Sequence, residues 1–189
     1  MGFDVGQFRA QMVGDGARPN LFEVIMPFPQ ISRVQGSPSA GAVDQKFTFM
    51  CRTSQLPGST LGAVPVNYFG REIKLAGNRT FPEWTVTVLN DEDFLVRNTM
   101  EKWMNSINSH RGNFRAAGAL SPSSYTVDPM VNHYGKEIPG PIIKQVKLIG
   151  CFPIDVSPID LDWGQNDTIE EFAVTFAYQW TEDVRVGIL

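Results

Sequence analysis

The sequence predicts a mainly β protein of the α+β kind, a small β-barrel or sandwich with one flanking helix at about residues 91–109. Three observations carry that expectation. Apolar and polar residues alternate with period two in several short runs, as in strands with one face against a core. The 17 Gly and 13 Pro residues fall mostly between those runs, where the chain must turn. Only one stretch of useful length carries an apolar stripe at helical spacing. With 189 residues, 42% hydrophobic and 19% charged, the chain is long enough to build a core without staples. One domain over 1–189 is the expectation.

In chain order, a short helix is expected at about Phe3–Val13, then strands at Leu21–Met26, Lys46–Arg52, Val64–Phe69 and Glu72–Ala76. Long irregular stretches at 27–45 and 53–63 separate them, and loops of that length in a small domain are commonly contacts or disordered. In Trp84–Leu89, Trp84, Val86 and Val88 point inward while Thr85 and Thr87 point outward. The helix follows, with Val96, Met100, Trp103, Met104 and Ile107 on one face. Asn90 is its expected cap, Asp91, Glu92 and Asp93 complement the positive end of its dipole, and Gly112 lies past its close. Strands at Tyr125–Tyr134, Lys144–Ile149 and Ile169–Trp180 complete the set. In the last, Phe172, Val174, Phe176, Tyr178 and Trp180 alternate with Ala173, Thr175, Ala177 and Gln179. A C-terminal extension is expected at about 183–189.

The balance of 16 basic against 20 acidic residues gives a net charge of −4. Gripping nucleic acid over a whole surface requires a basic surface, because phosphate neutralisation supplies most of that affinity, so this class is disfavoured. Cys51 and Cys151 form no metal-ligand spacing and read as buried thiols of a reducing compartment. The first residues lack an apolar signal core and position six is Gly6, against myristoylation; the chain is expected to be soluble and intracellular when made.

Chemistry-bearing patterns are sparse. His110 and His133 have no Glu or Cys at ligand spacing. Asp160, Asp162 and Glu171 fall at positions one, three and twelve of a calcium loop, but Gln165 stands where the sharp turn needs Gly, and the flanks read as strands. A polar turn at Gly164–Asp167 is the simpler account. No phosphate-binding Gly loop or nucleophile elbow occurs. These features point away from an enzyme and imply neither metal nor cofactor.

The words of the chain carry a resemblance. Ala17-Arg-Pro-Asn-Leu-Phe-Glu-Val24, Phe47-Thr-Phe-Met-Cys-Arg52, Leu56-Pro57 before Val64-Pro65, and Arg71-Glu-Ile73 followed by Ala76-Gly-Asn-Arg-Thr-Phe81 come in order. Trp84-Thr-Val-Thr-Val-Leu-Asn-Asp91, Gly150-Cys-Phe-Pro153, Leu161-Asp-Trp163 and Ile169–Trp180 follow. Together, from about Ala17 to Glu182, they resemble the tail tube proteins of contractile-tailed, T-even-like bacteriophages. The stretch 27–45, longer than in T-even members, and the tail Asp183–Leu189 depart from the pattern.

The resemblance implies a structural virion protein without catalytic, metal or cofactor sites. Six copies would close into a ring, and rings would stack into the rigid tube inside a contractile sheath. Partners would be further copies of itself, the tail sheath, tube-initiating baseplate proteins, the tape measure protein, the tail terminator, and genomic DNA only in transit. Its place would be the virion tail, and the host cytoplasm during assembly. The long loop after the second strand maps to Arg52–Val64, so Ser54, Gln55, Leu56, Pro57, Gly58, Ser59, Thr60 and Leu61 become candidate inter-ring contacts. Thr85, Thr87, Thr175 and Gln179 are candidate bore residues, since a conduit must offer phosphates no cluster of cations. The alternatives are the inner tube of a type VI-like secretion or extracellular contractile injection system, and a small β-barrel ligand-binding module or enzyme.

Overall fold

The computed structural model describes residues 4–13, 16–33, 41–137 and 140–184. Helix α1 (Val5–Gln11) opens the chain, with the Asp4 carboxylate accepting from the Gly6 N–H at 2.8 Å, and buries none of its side chains. Strand β1 (Phe22–Ile25), helix α2 (Ala42–Met50) and strand β2 (Cys51–Thr53) follow, with a 3-10 turn at Gln30–Ser32 between β1 and α2. Next come the hairpin of β3 (Thr60–Tyr68) and β4 (Arg71–Thr80), then β5 (Trp84–Leu89) and helix α3 (Leu95–Ile107). The second half is a helical turn α4 (Pro122–Tyr125) and strands β6 (Met130–Tyr134), β7 (Ile142–Ile149), β8 (Phe152–Val156), β9 (Glu171–Ala177) and β10 (Trp180–Val184).

Eight strands form two four-stranded antiparallel sheets, ordered β1-β6-β7-β10 and β2-β5-β9-β8, while β3 and β4 pair only with each other. Among the described residues neither sheet closes on itself, which leaves a sandwich with four open edges: β1, β10, β2 and β8. One core joins both sheets. Val24, Val131 and Leu148 from the first meet Trp84, Val86, Val88, Phe172, Val174 and Phe176 from the second, with Phe47 of α2 and Val96, Met100 and Trp103 of α3 closing it. The expected inward faces of β5 and β9 are therefore the observed ones. The buried indole of Trp103 donates to the Tyr125 carbonyl at 2.7 Å, and that of Trp84 to the Gln55 carbonyl at 2.9 Å, so neither leaves a polar atom stranded.

Several expectations are corrected. Lys46–Arg52 is not one strand: α2 runs to Met50 and only Cys51–Thr53 is extended. Phe47-Thr-Phe49 mimics period two, but the pair that reaches the core is Val43 and Phe47, one helical turn apart, and Phe49 is left exposed. α2 also shortens the irregular stretch at 27–45, of which 34–40 lie outside the described residues. In Tyr125–Tyr134, Tyr125 ends a helical turn led by Pro122, a residue suited to a first helical position; Val127 makes an isolated bridge to Cys151, and the strand itself starts at Met130. Ile169–Trp180 is two strands. At Tyr178–Gln179 the chain leaves the second sheet for the first, the Gln179 N–H donating to the Ile149 carbonyl at 2.9 Å, and Trp180 is exposed rather than in the core. β8 carries Pro153 and Asp155, a composition that sequence reading passes over but an edge strand tolerates.

The acidic triplet does not occupy the first turn of α3. Phe94, in the left-handed region at φ 50°, precedes the helix without a side-chain cap. The Asp91 and Asp93 carboxylates instead accept from the N–H groups of Glu92 (2.8 Å) and Leu95 (2.9 Å), and both bind the Lys46 ammonium, at 2.8 and 2.5 Å. Asn90 donates its side-chain amide to Glu170 at 3.0 Å. α3 closes at Ile107 on Asn108, well before Gly112. β10 takes up the first two residues of the expected C-terminal extension, and 185–189 lie outside the described residues.

Candidate assembly surfaces

The β3–β4 hairpin leaves the sandwich as an arm. Every residue of both strands is exposed except the half-buried Gly77. Its turn is Phe69-Gly70, with φ 46° and 78°, the pair of left-handed residues that matches the twist of a two-residue hairpin. Near its base the register slips between Leu61 and Ala63, where Gly62 and Gly77 let the two backbones approach; a Cβ on Gly77 would meet the Gly62 carbonyl oxygen at 3.1 Å.

Cross-strand pairing makes the arm two-faced. Val64 pairs with Leu75, Val66 with Ile73 and Tyr68 with Arg71, which puts five apolar side chains and one guanidinium on one side. The other side carries Asn67 with Glu72, Pro65 with Lys74, and Ala63 with Ala76. The apolar five are 42% (Val66) to 62% (Tyr68) exposed, and Phe69 at the tip is 91% exposed. A lone two-stranded ribbon is marginal in water, and a contiguous apolar face of this kind marks a contact surface. Among the described residues the face has no partner within its own subunit.

Of the candidate contacts, Thr60 and Leu61 are the first residues of β3, while Ser54–Ser59 form the connector from β2. That connector is held to the body at Gln55, through the Trp84 indole. Most of the unpartnered apolar surface lies further out, at Val64–Leu75. Sequence reading places strands there, at Val64–Phe69 and Glu72–Ala76, without setting them apart from the others, because an amphipathic arm and a half-buried strand share the same period of two.

Thr85, Thr87 and Thr175 come together on the outer face of the second sheet. Thr85 and Thr175 are register partners with hydroxyl oxygens 3.2 Å apart, and Thr87 faces Ala173. All three are half-buried, so the face is open but smooth. Gln179 sits apart from them, exposed at the crossing between β9 and β10. The outer face of the first sheet carries a feature that sequence reading missed, a row of linked polar side chains. Gln145 donates to Asn132 (2.8 Å), Asn132 to Glu23 (3.3 Å), and the Tyr134 hydroxyl to the same Glu23 carboxylate at 2.5 Å. The bond to Glu23, then burial, raises the Tyr134 hydroxyl above the ordinary phenol range. These residues lie on three strands, and only the register reveals the row.

The titratable groups are arranged to hold the fold. Burial works against the charge of Lys46, but the hydrogen bonds and charges of Asp91 and Asp93 outweigh it and raise the ammonium's pKa. The Lys46 bond in turn lowers both carboxyls. Burial pushes the Cys51 thiol up to about 12 and the Cys151 thiol higher still. His133 Nδ1 is buried without a hydrogen-bond partner, and Asp162 accepts from the Gly164 N–H at 2.9 Å, the chain turning at Trp163–Gly164. Among the described residues no group of three His, Cys, Asp or Glu side chains converges.

Comparison with known proteins bears on these surfaces. A family model described as phage tail tube protein matches residues 17–181. The tail tube protein of Enterobacteria phage T4 is 34% identical over 174 residues, covering 92% of this chain and 96% of that one. That of Enterobacteria phage T6 is 35% identical over the same span, with the same coverage. Among solved structures, a chain of the anti-feeding prophage baseplate superposes with a TM-score of 0.60 at 13% identity, over 92% of this chain and 98% of that one. A chain of the sheath–tube complex of an extracellular contractile injection system, in its extended state, gives 0.55 at 12% identity, over 98% and 100%. At those identities the likeness establishes the fold alone.

Proposed function

The chain belongs to the phage tail tube protein family, and from that premise we propose that its sandwich closes into hexameric rings that stack, through the β3–β4 arm, into the inner tube of a contractile tail. The observation that carries this reading is the arm itself, an amphipathic ribbon whose apolar side is open to solvent in the isolated subunit. The open edges β1, β10, β2 and β8 support it too, since strands continued between neighbours in a ring remove edges that would otherwise aggregate. Ring stacking is a heterologous contact without closure, so it produces a filament.

Within that reading the connector Ser54–Ser59 and the start of β3 at Thr60–Leu61 set where the arm leaves the ring. Thr85, Thr87 and Thr175 supply an uncharged hydroxyl face for the bore, past which phosphates move without being held. The role is structural and non-enzymatic. The tube meets the sheath outside, the tape measure protein and then DNA inside, and initiating and terminating proteins at its ends; assembly takes place in the host cytoplasm. A second reading, the tube of an extracellular injection system, is favoured by the fold likeness to such machines, whereas identity of about a third over nearly the whole chain favours the phage.

Negative-stain electron microscopy of the purified chain over a concentration series tests the reading. Hollow rods or stacked rings of uniform width are expected, and deletion of Leu56–Ser59 is expected to abolish them while leaving a folded subunit. Rods of unchanged length from the deletion variant would remove the connector and arm from ring stacking.

A further inference from the structure

We propose that the tip of the β3–β4 arm seats in an acidic groove of a second copy of this chain, formed by the loop between β8 and β9 with Arg52 at its side. The proposal rests on reading the arm as an assembly element and names the surface that receives it.

The loop is unlike the rest of the molecule. From Asp160 through Glu171, the first residue of β9, the segment carries five carboxylates and no Lys or Arg, more negative charge than the net charge of the whole chain. Glu171 is paired with Arg52, and Glu170 accepts from Asn90. Asp160, Asp162 and Asp167 stand in no ion pair among the described residues. Between the carboxylates, Leu161, Trp163 and Ile169 are 82%, 102% and 67% exposed. With Ile159 they line an open groove of about 490 Å³. A fully exposed Trp beside Leu and Ile is apolar surface awaiting a partner.

The arm is complementary in both respects. Between Thr60 and Thr80 three cations, Arg71, Lys74 and Arg79, stand against one carboxylate, Glu72, and none of the three forms an ion pair among the described residues. At the tip Tyr68 and Phe69 pack edge to face with ring centroids 4.5 Å apart, and Arg71 lies directly across from Tyr68. An aromatic pair flanked by a guanidinium is the kind of anchor that fills an apolar slot rimmed by carboxylates. Phe69 and Trp163 are each almost wholly solvated in their own subunit, so the two surfaces do not meet within one chain. Each copy offers one tip and one groove, a heterologous contact that, made between stacked rings, repeats from ring to ring.

Charge exchange tests the pairing, read as the concentration at which the purified full-length chain begins to assemble, by sedimentation velocity and electron microscopy. Arg71→Glu alone, and Asp160→Lys with Asp162→Lys, are each expected to raise that concentration at least tenfold. Carrying all three changes in one chain is expected to return it to within about threefold of the unmodified value. Trp163→Ala, which alters no charge, is expected to raise it as well, and thermal unfolding of each subunit is expected to stay unchanged. If the Asp160/Asp162 and Trp163 variants assemble normally while Ile73→Ala with Leu75→Ala does not, the groove is wrong and the arm reading stands. If the combined variant fails to recover, the pairing is wrong. Normal assembly by every arm and groove variant would overturn both readings.

Discussion

Replacing Ile73 and Leu75 by Ala in one chain removes two of the five apolar side chains on the arm's open face. Ile73 is 46% exposed and Leu75 55% exposed in the free subunit, so about half of each side chain remains to be buried by a neighbour. Complete burial of such a side chain contributes about 1.5–3 kcal/mol, which leaves about 1 kcal/mol apiece for the contact. The pair therefore contributes about 2 kcal/mol per arm, on the order of a thirtyfold change in association constant at ~1.4 kcal/mol per tenfold. The isolated subunit should hardly notice, because exposed substitutions away from the core usually stay within about 0.5 kcal/mol. The assay is the assembly threshold by light scattering and microscopy, set beside thermal unfolding of the subunit below that threshold. A threshold about thirty times higher with an unchanged melting temperature is expected. A lower melting temperature with an unchanged threshold would refute the reasoning, since the arm would then be packing on its own subunit.

Both thiols should be silent to a disulfide reagent at pH 8 in the folded chain and both should react in denaturant, because burial raises Cys51 to about 12 and Cys151 further; one fast thiol in the native protein would contradict this. The clamp of Lys46 on Asp91 and Asp93 gives an acid limb of known sign. The carboxyls titrate below the ordinary range, near 4, when folded, so their contribution is present above that range and is lost as pH falls through the lower folded values. Denaturation profiles of Lys46→Met should be less stable at neutral pH and shallower on the acid side, as pH falls below the ordinary carboxylate range, whereas an unchanged acid limb would place that dependence elsewhere. Thr87→Cys tests the bore. In subunits it should react with small and polymer-bulky maleimides alike, and in assembled tubes only with the small one; equal reaction with the bulky reagent in tubes would put the threonine face outside.

Some of this protein is written locally. Trp84-Thr-Val-Thr-Val and Phe172-Ala-Val-Thr-Phe assign their own buried faces, because side chains in a strand alternate whatever the neighbours do. Val96, Met100 and Trp103 fix the inner face of α3 for the same local reason. The order of sequence words over most of the chain was sufficient to indicate the family. Period two, however, says that one face is apolar and not what covers it. Val64–Leu75 therefore reads as two strands like the others, and only the tertiary structure sets them apart as an arm with no other described residue of its own chain covering its apolar face. Phe47-Thr-Phe49 went astray because the burial that decides between helix and strand belongs to distant partners, Phe28 at 5.7 Å from Phe47 among them. The polar row from Glu23 through Asn132 to Gln145, the Lys46 clamp and the crossing at Tyr178–Gln179 join residues far apart in the chain. The sequence by itself determined what each segment could bury. The tertiary structure decided which segments are buried and which are left waiting for another copy, since burial is a property of surfaces brought together and not of the segment that carries them.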